Sequence, residues 1–138
     1  MREIKFRAWI QTGLEDTDGD MTKPYALQYM TAKDNQNQFP YALLAEKAVF
    51  MQSVDLNDCQ GQPIFEDDIV KLQYGDEDPS YHRIVYYEAC FWAGRYRPLQ
   101  VAIDEFDCTI VGNWWENPEL REKVEKDNQL PGTKVLGL

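Results

Sequence analysis

The sequence has little of the chemistry on which catalysis and metal binding usually depend. It contains one histidine and three cysteines, and Cys59, Cys90 and Cys108 are widely spaced, without a CxxC pair. It has no phosphate-binding loop and no GxGxxG, GxSxG or HExxH motif. A disulfide framework and a zinc site are therefore not expected. We predict no catalytic, cofactor-binding or metal-ligating residue and no cofactor.

Long apolar runs and an excess of positive charge are also missing. No apolar run approaches the ~20 residues of a membrane helix, and the opening MREIKFRAWI lacks the apolar region of a signal peptide. The 138 residues carry a formal net charge of −10. This charge disfavours binding to phosphates or to anionic membranes. We expect a cytoplasmic protein without a membrane partner.

The sequence does contain many short segments with strand character, separated by turns. Residues 3–10 alternate between apolar and polar positions, as a half-buried strand does. Gly61 is predicted to adopt positive φ in a turn, and Gly112 to mark a bulge. Asn117 and Pro118 predict the start of a helix that runs to about residue 126. Further strands are predicted over residues 25–31, 49–54, 64–74, 82–92, 99–103 and 107–115.

Several short strands followed by one helix predict a mainly β (α+β) fold. We expect a small, strongly bent antiparallel sheet or partly open barrel with a short C-terminal helix. Residues 1–126 are predicted to form a single domain, and residues 127–138 a flexible tail.

Two groups of residues are weak candidates for a site. His82, the only histidine, is predicted at the exposed start of a strand, where a structural role is commoner than general-base catalysis. Asp16, Asp18 and Asp20 resemble the first three ligands of a calcium loop. The glycine and the bidentate glutamate that such a loop requires are absent, which favours a solvated loop.

Glu66, Asp67 and Asp68 form a second acidic run. Magnesium-dependent nucleases use clustered carboxylates, but neighbouring strand residues point to opposite faces and do not converge on one ion without a bulge. We interpret the run as a turn whose carboxylates accept nearby backbone N–H groups. A metal-dependent hydrolase that uses Glu66 and Asp68 is the alternative that the sequence favours least.

Three segments together resemble one known family. Residues 2–9 (REIKFRAW), 51–71 (MQSVDLNDCQGQPIFEDDIVK) and 111–120 (VGNWWENPEL) are similar, in order and spacing, to the motifs of YopX-like phage proteins. Asp55 and Asp67 stand where that family usually has glycine. If those positions require positive φ, aspartate is among the better tolerated replacements.

The resemblance implies a phage or prophage product with a β-rich, small-barrel fold in the cytoplasm of a bacterial host, and it supplies no catalytic residue. The segment around Asp68 is also similar to strand starts in SH3-like barrels, which is a fold analogy. The motifs look structural. Asn113 is expected to satisfy buried backbone groups, and Asp68 to hold the turn at Gly61.

We favour a non-enzymatic phage or prophage accessory protein that contacts a cationic protein through an acidic surface, for example as a DNA mimic. The alternative is a small nucleic-acid-binding barrel with aromatic side chains between basic ones. The predicted acidic surface comprises Asp55, Asp58, Glu66, Asp67, Asp68, Asp76, Glu77 and Asp78. The predicted basic face comprises Lys5, Arg7, Arg83, Arg95 and Arg97.

Overall fold

Short antiparallel strands build nearly all of the protein. The structure is a computed structural model that describes residues 4–26 and 48–127. The first sheet consists of β1 (Lys5–Gln11), β2 (Gly19–Met21), β3 (Tyr25–Ala26), β4 (Ala48–Asn57) and β5 (Pro63–Phe65). Its strand order is β2-β1-β4-β5, and β3 also pairs with β1. The second sheet consists of β6 (Asp68–Gln73), β7 (Ser80–Tyr87), β8 (Cys90–Ala93), β9 (Arg97–Pro98) and β10 (Asp107–Asn113), in the order β10-β6-β7-β8-β9.

Helices are few and short in the described part of the chain. They are α1 (Leu99–Glu105), the 3₁₀ helix Pro118–Leu120 and α2 (Arg121–Asp127). None of these helices is long and apolar enough to cross a membrane. The strands curl strongly into a half-barrel. The predicted mainly β fold with a bent antiparallel sheet and a short C-terminal helix is therefore confirmed.

The main core lies between the second sheet, the start of α1 and the ends of β4 and β5. Apolar side chains from every one of these elements are buried there, and a continuous cluster of this kind supplies most of the hydrophobic stabilisation of a small domain. Its buried members are Val54, Ile64, Val70, Leu72, Ile84, Ala93, Leu99, Ala102 and Cys108.

The turn between β4 and β5 ties the two sheets together. The Asp58 carboxylate accepts the backbone N–H of Gln60 and of Gln62, both at 2.9 Å, and that of Ile110 in β10 at 3.0 Å. The Cys59 N–H also donates to the Cys108 carbonyl at 2.8 Å. Two backbone groups at the edge of β10, the Ile110 N–H and the Cys108 carbonyl, are thereby hydrogen-bonded instead of being left open. The prediction that Asp68 holds this turn is wrong, because Asp58 does so.

Two predicted strands have a different structure. Residues 99–103 form part of helix α1, because Leu99 and Ala102, three positions apart, bury the same face of a helix. Residues 82–92 are not one strand but the two arms of a hairpin. Its turn, at Glu88 and Ala89, has φ of 50° and 60°. Turns of this kind favour glycine or asparagine, and neither residue is of these types, so the sequence does not reveal the turn.

Several local predictions are confirmed. Gly61 has φ of 81°, and the register of β10 shifts between Ile110 and Gly112, where the bulge was predicted. Of the strand predicted over residues 25–31, only Tyr25–Ala26 falls within the described residues. The prediction is wrong for Asp127, the first residue of the predicted tail. Asp127 still belongs to α2, and its carboxylate accepts the Tyr81 N–H at 2.9 Å. Residues 128–138 lie outside the described part.

Candidate functional site

The three family-like segments meet in one polar cluster, which we call the motif junction. Arg7 comes from the first segment, Glu66, Asp67 and Asp68 from the second, and Trp114 and Trp115 from the third. Asn113, also from the third segment, and Arg83 of β7 complete the junction. Some of the side chains that bond here are 61 positions apart in the sequence.

Asp68 and Arg7 form a buried ion pair in the junction. Arg7 Nη2 donates to Asp68 Oδ1 at 2.8 Å, and the side chains are only 12% and 4% exposed, respectively. The other oxygen of Asp68 accepts the Phe65 N–H at 2.8 Å. Burial raises the pKa of Asp68, against the opposing effect of the Arg7 charge. This pair joins β1 of the first sheet to β6 of the second.

Asp67 sits in the left-handed backbone region, with φ of 67°. Its carboxylate accepts Arg83 Nε at one oxygen and Trp115 Nε1 at the other, both at 2.9 Å. Its carbonyl accepts the Trp114 N–H at 2.8 Å. Asp55 has φ of 61°, so both positions where aspartate replaces a family glycine have positive φ, the condition under which aspartate was expected to be tolerated. The strained backbone at Asp67 therefore places its carboxylate between two side chains, those of Arg83 and Trp115.

Glu66 completes the acidic run. Its Oε1 accepts the Gln52 N–H at 2.7 Å, and burial raises its pKa, with the Asp67 charge acting in the same direction. The prediction that these acids accept backbone N–H groups holds for Glu66 and Asp68. Each carboxylate faces a different set of donors. Among the described residues, no group of three or more histidine, cysteine, aspartate or glutamate side chains is placed to hold a metal ion.

The closing motif folds back on itself after β10. The Asn113 side-chain oxygen accepts the N–H groups two and three residues later, at 3.0 and 2.8 Å, as predicted for this residue. The Asn117 side chain accepts the Asn113 N–H at 3.0 Å. Asn117 is the N-cap residue of the 3₁₀ helix and Pro118 starts that helix, as predicted, but the Asn117 side chain makes no cap bond to it. A Cβ at Gly112 would lie 2.5 Å from Asn117 Oδ1, which explains the glycine.

Two arginines lie against Trp114 beside the junction. The Arg83 and Arg121 guanidinium carbons are 4.2 and 4.8 Å from the Trp114 ring centre. Arg121 also bonds Asp16 at 3.1 Å, which docks the loop after β1 onto α2. In that loop Asp18 accepts the Glu15 N–H at 3.2 Å. Two acids of the calcium-like sequence therefore bond protein groups.

The histidine and the cysteines lie elsewhere. His82 is 3% exposed inside β7, and its Nε2 lies 2.8 Å from Ser80 Oγ, so the prediction of an exposed histidine is wrong. All three cysteines are free thiols. Cys59 is exposed, 3.3 Å from Thr109 Oγ1. Cys108 is buried, which raises its pKa to about 12 and keeps the thiol protonated and unreactive.

The predicted basic face is divided between different surroundings. Arg7 and Arg83 are held by the carboxylates of the motif junction. Arg97 stacks over Phe106 at 4.8 Å from the ring centre. Lys5 lines a shallow cleft together with Asp55. The second sheet instead presents a groove of about 460 Å³ near its β7–β8 hairpin, which we call the tyrosine groove. It is lined by Val85, Tyr86, Tyr87, Trp92, Gly94, Arg95 and Tyr96.

The predicted acidic surface is also divided. Asp58, Asp67 and Asp68 are buried, whereas Asp76, Glu77 and Asp78 are exposed in the β6–β7 loop. Asp107 pairs with Gln73 at the end of β6, so the start of β10 lies beside this loop. Glu105 and Glu77 line one cleft of about 490 Å³. We call the exposed acids at this edge of the sheet the acidic end. They are Asp76, Glu77, Asp78, Glu105 and Asp107.

Together these features define a small, curled β-sheet protein in which the recognisable sequence motifs interlock through one buried polar cluster. The sequence profile of the family described as YopX protein matches residues 5–122. The chain therefore belongs to the YopX protein family.

The solved structures that this chain matches include the crystal structure of protein EF1440 from Enterococcus faecalis. The two chains are 21% identical, with a TM-score of 0.44 and coverage of 85% of this chain and 96% of that chain. A comparison with curated proteins finds no match.

Proposed function

We propose that this protein is a non-enzymatic phage or prophage accessory protein that works in the host cytoplasm. On this proposal it binds a cationic protein partner through the acidic end. Family membership supports the phage or prophage part of the proposal. One observation supports the acidic end as the contact surface, namely the contrast between two acidic runs. Glu66–Asp68 bond donors within the protein, whereas among the described residues no ion pair joins Asp76, Glu77 or Asp78 to a basic side chain.

Unpaired, clustered carboxylates on a surface favour a partner with clustered positive charge. Such charges steer association and determine which partner is accepted, more than they add affinity. A DNA-binding protein presents a surface of this kind, so the DNA-mimic form of the proposal fits the same acids. Binding should weaken as salt rises, because exposed charges are screened beyond about 8 Å at physiological ionic strength.

The test is affinity capture from nuclease-treated bacterial lysate. The immobilised full chain is compared with a triple variant in which Asp76→Asn, Glu77→Gln and Asp78→Asn remove three charges with little change in shape. We expect a specific protein to be retained at low salt by the original chain, released at high salt, and not retained by the triple variant. Equal retention by both chains would contradict the proposal.

A second candidate function is binding of single-stranded nucleic acid in the tyrosine groove. Tyr86 and Tyr87 are 56% and 62% exposed there, and Arg95 lies beside them. Bases stack on exposed aromatic rings, and arginine adds attraction for phosphate. A gel-shift assay with single-stranded DNA and RNA, repeated with the double variant Tyr86→Ala and Tyr87→Ala, tests this. A shift that the double variant loses would favour nucleic acid over the protein partner.

A further inference from the structure

We infer that the cleft at the acidic end binds an arginine side chain of the partner, so that an arginine-rich segment is the recognised element. This inference rests on the proposed function and specifies the chemistry of the partner segment that is bound. The cleft lies between the β6–β7 loop and the end of α1. It is lined by Tyr74, Glu77, Arg97, Glu105 and Phe106.

The walls of the cleft combine aromatic rings with carboxylates. Tyr74 is 59% exposed, and its ring meets Phe106 edge to face, with ring centres 6.0 Å apart. Glu77 and Glu105 line the same space. An aromatic face attracts a cation through its quadrupole, and a carboxylate accepts charge-assisted hydrogen bonds from it. The two glutamates outnumber the single positive charge of Arg97, so the lining of the cleft favours a cation over an anion. A purely apolar group would leave the carboxylates desolvated.

Arg97 shows within the protein how this surface receives a guanidinium group. Its guanidinium carbon lies 4.8 Å from the centre of the Phe106 ring, at the side of the same cleft. A planar guanidinium stacks on a ring and bonds a carboxylate with two parallel N–H groups, whereas an ammonium is a more strongly hydrated point charge. The geometry therefore favours arginine over lysine for the exposed ring of Tyr74.

The loop that carries the acids is held in place before any partner arrives. The Glu77 N–H donates to the Tyr74 carbonyl at 3.0 Å. The Gln73 side chain donates to the carbonyls of Gly75, at 3.2 Å, and of Glu77. A braced loop loses less conformational freedom on binding than a mobile one. Asp76, Asp78 and Asp107 are exposed next to the lining residues Glu77 and Phe106 in the sequence. A segment with several positive charges therefore complements this surface better than a single cation does.

The test is fluorescence anisotropy of labelled deca-arginine and deca-lysine with the full chain. We expect deca-arginine to bind more tightly, and Tyr74→Ala to weaken it by about 2- to 5-fold, the size of an exposed cation–π contact. Tyr74→Ala should also make the affinities for deca-arginine and deca-lysine nearly equal. Tyr74→Phe, which keeps the ring, should retain the preference for arginine. Tyr86→Ala is the matched control, because Tyr86 is similarly exposed but lines the tyrosine groove.

The outcomes separate the two proposals. If the triple variant at residues 76–78 weakens both peptides but Tyr74→Ala leaves the arginine preference intact, the arginine cleft is wrong and the acidic contact surface stands. If Tyr86→Ala has the same effect as Tyr74→Ala, the cleft is likewise wrong. If the triple variant binds both peptides as tightly as the original chain, the proposed function fails and the cleft fails with it.

Discussion

Two runs of three acids, ten residues apart, have opposite surroundings in this protein. Glu66, Asp67 and Asp68 lie in the motif junction, where they bond Gln52, Arg83, Arg7 and their neighbours. Asp76–Asp78 are exposed to solvent. Composition alone does not separate them, since each run holds three carboxylates. The difference teaches that acids bonded within the sheets define the fold. Exposed acids that form no ion pair with the described part of the chain are available to a partner.

The largest expected effect comes from breaking the buried ion pair. Asp68→Ala leaves the Arg7 charge buried without its partner, and we expect a loss of about 3–5 kcal/mol in unfolding free energy. Asp76→Ala is the matched control at the acidic end and should change stability by less than about 0.5 kcal/mol. Urea unfolding measures both. Similar losses for the two variants would remove the distinction between the runs.

A second comparison separates backbone strain from side-chain contacts. Asp67→Ala and Asp67→Gly both remove the bonds to Arg83 and Trp115, but only the glycine relieves the positive φ of 67°. We expect Asp67→Ala to be less stable than Asp67→Gly by about 1 kcal/mol, the size of the left-handed backbone strain. Asp67→Gly should still be less stable than the original chain, because a hydrogen bond to a charged group contributes about 2 kcal/mol. Thermal and urea unfolding of the two variants provide the measurement. A glycine variant as stable as the original chain would mean that the Asp67 carboxylate adds nothing beyond the strain that it causes.

Neutralising the acidic end should have a small effect of opposite sign. The triple variant at residues 76–78 loses mutual repulsion between neighbouring carboxylates on an already acidic protein. We expect its unfolding free energy to stay the same or to rise by up to about 0.5 kcal/mol. A clear loss of stability would show that these acids support the fold. The distinction between acids 66–68, which stabilise the fold, and acids 76–78, which are available to a partner, would then be wrong.

The smallest effect concerns pH. Burial is the main cause that raises the pKa of Glu66 in the native protein. As the pH falls, the Glu66 carboxylate is therefore protonated in the native protein before it is protonated in the unfolded chain. Relative to Glu66→Gln, the original chain should therefore gain stability as pH falls from 7 towards the ordinary glutamate pKa of 4.5. The measurement is the difference in unfolding free energy between the two chains across that range. A difference that moved the other way would mean that the junction favours the charged form.

Local backbone chemistry explains what the sequence predicted well. The turn at Gly61 and the bulge at Gly112 depend on residues within a few positions, and both were predicted. The helix that starts at Pro118 was predicted for the same reason.

Long-range pairing explains what the sequence did not reveal. Nothing in the local pattern couples Arg7 to Asp68, 61 positions away. The hairpin turn at Glu88 and Ala89 lacks the usual turn residues, and tertiary packing decides it. The same limit applies to the two acidic runs. Which of them is buried depends on how the sheets meet, so the acidic surface predicted from residues 55–78 combined fold-forming acids with exposed ones.

The most direct test of the division between the motif junction and the acidic end is hydrogen–deuterium exchange of the full chain with and without deca-arginine. We predict that the peptide slows exchange at residues 74–78 and 105–107 and leaves residues 65–68 and 113–115 unchanged. Protection that appears at 65–68 and 113–115, with none at the acidic end, would contradict the account.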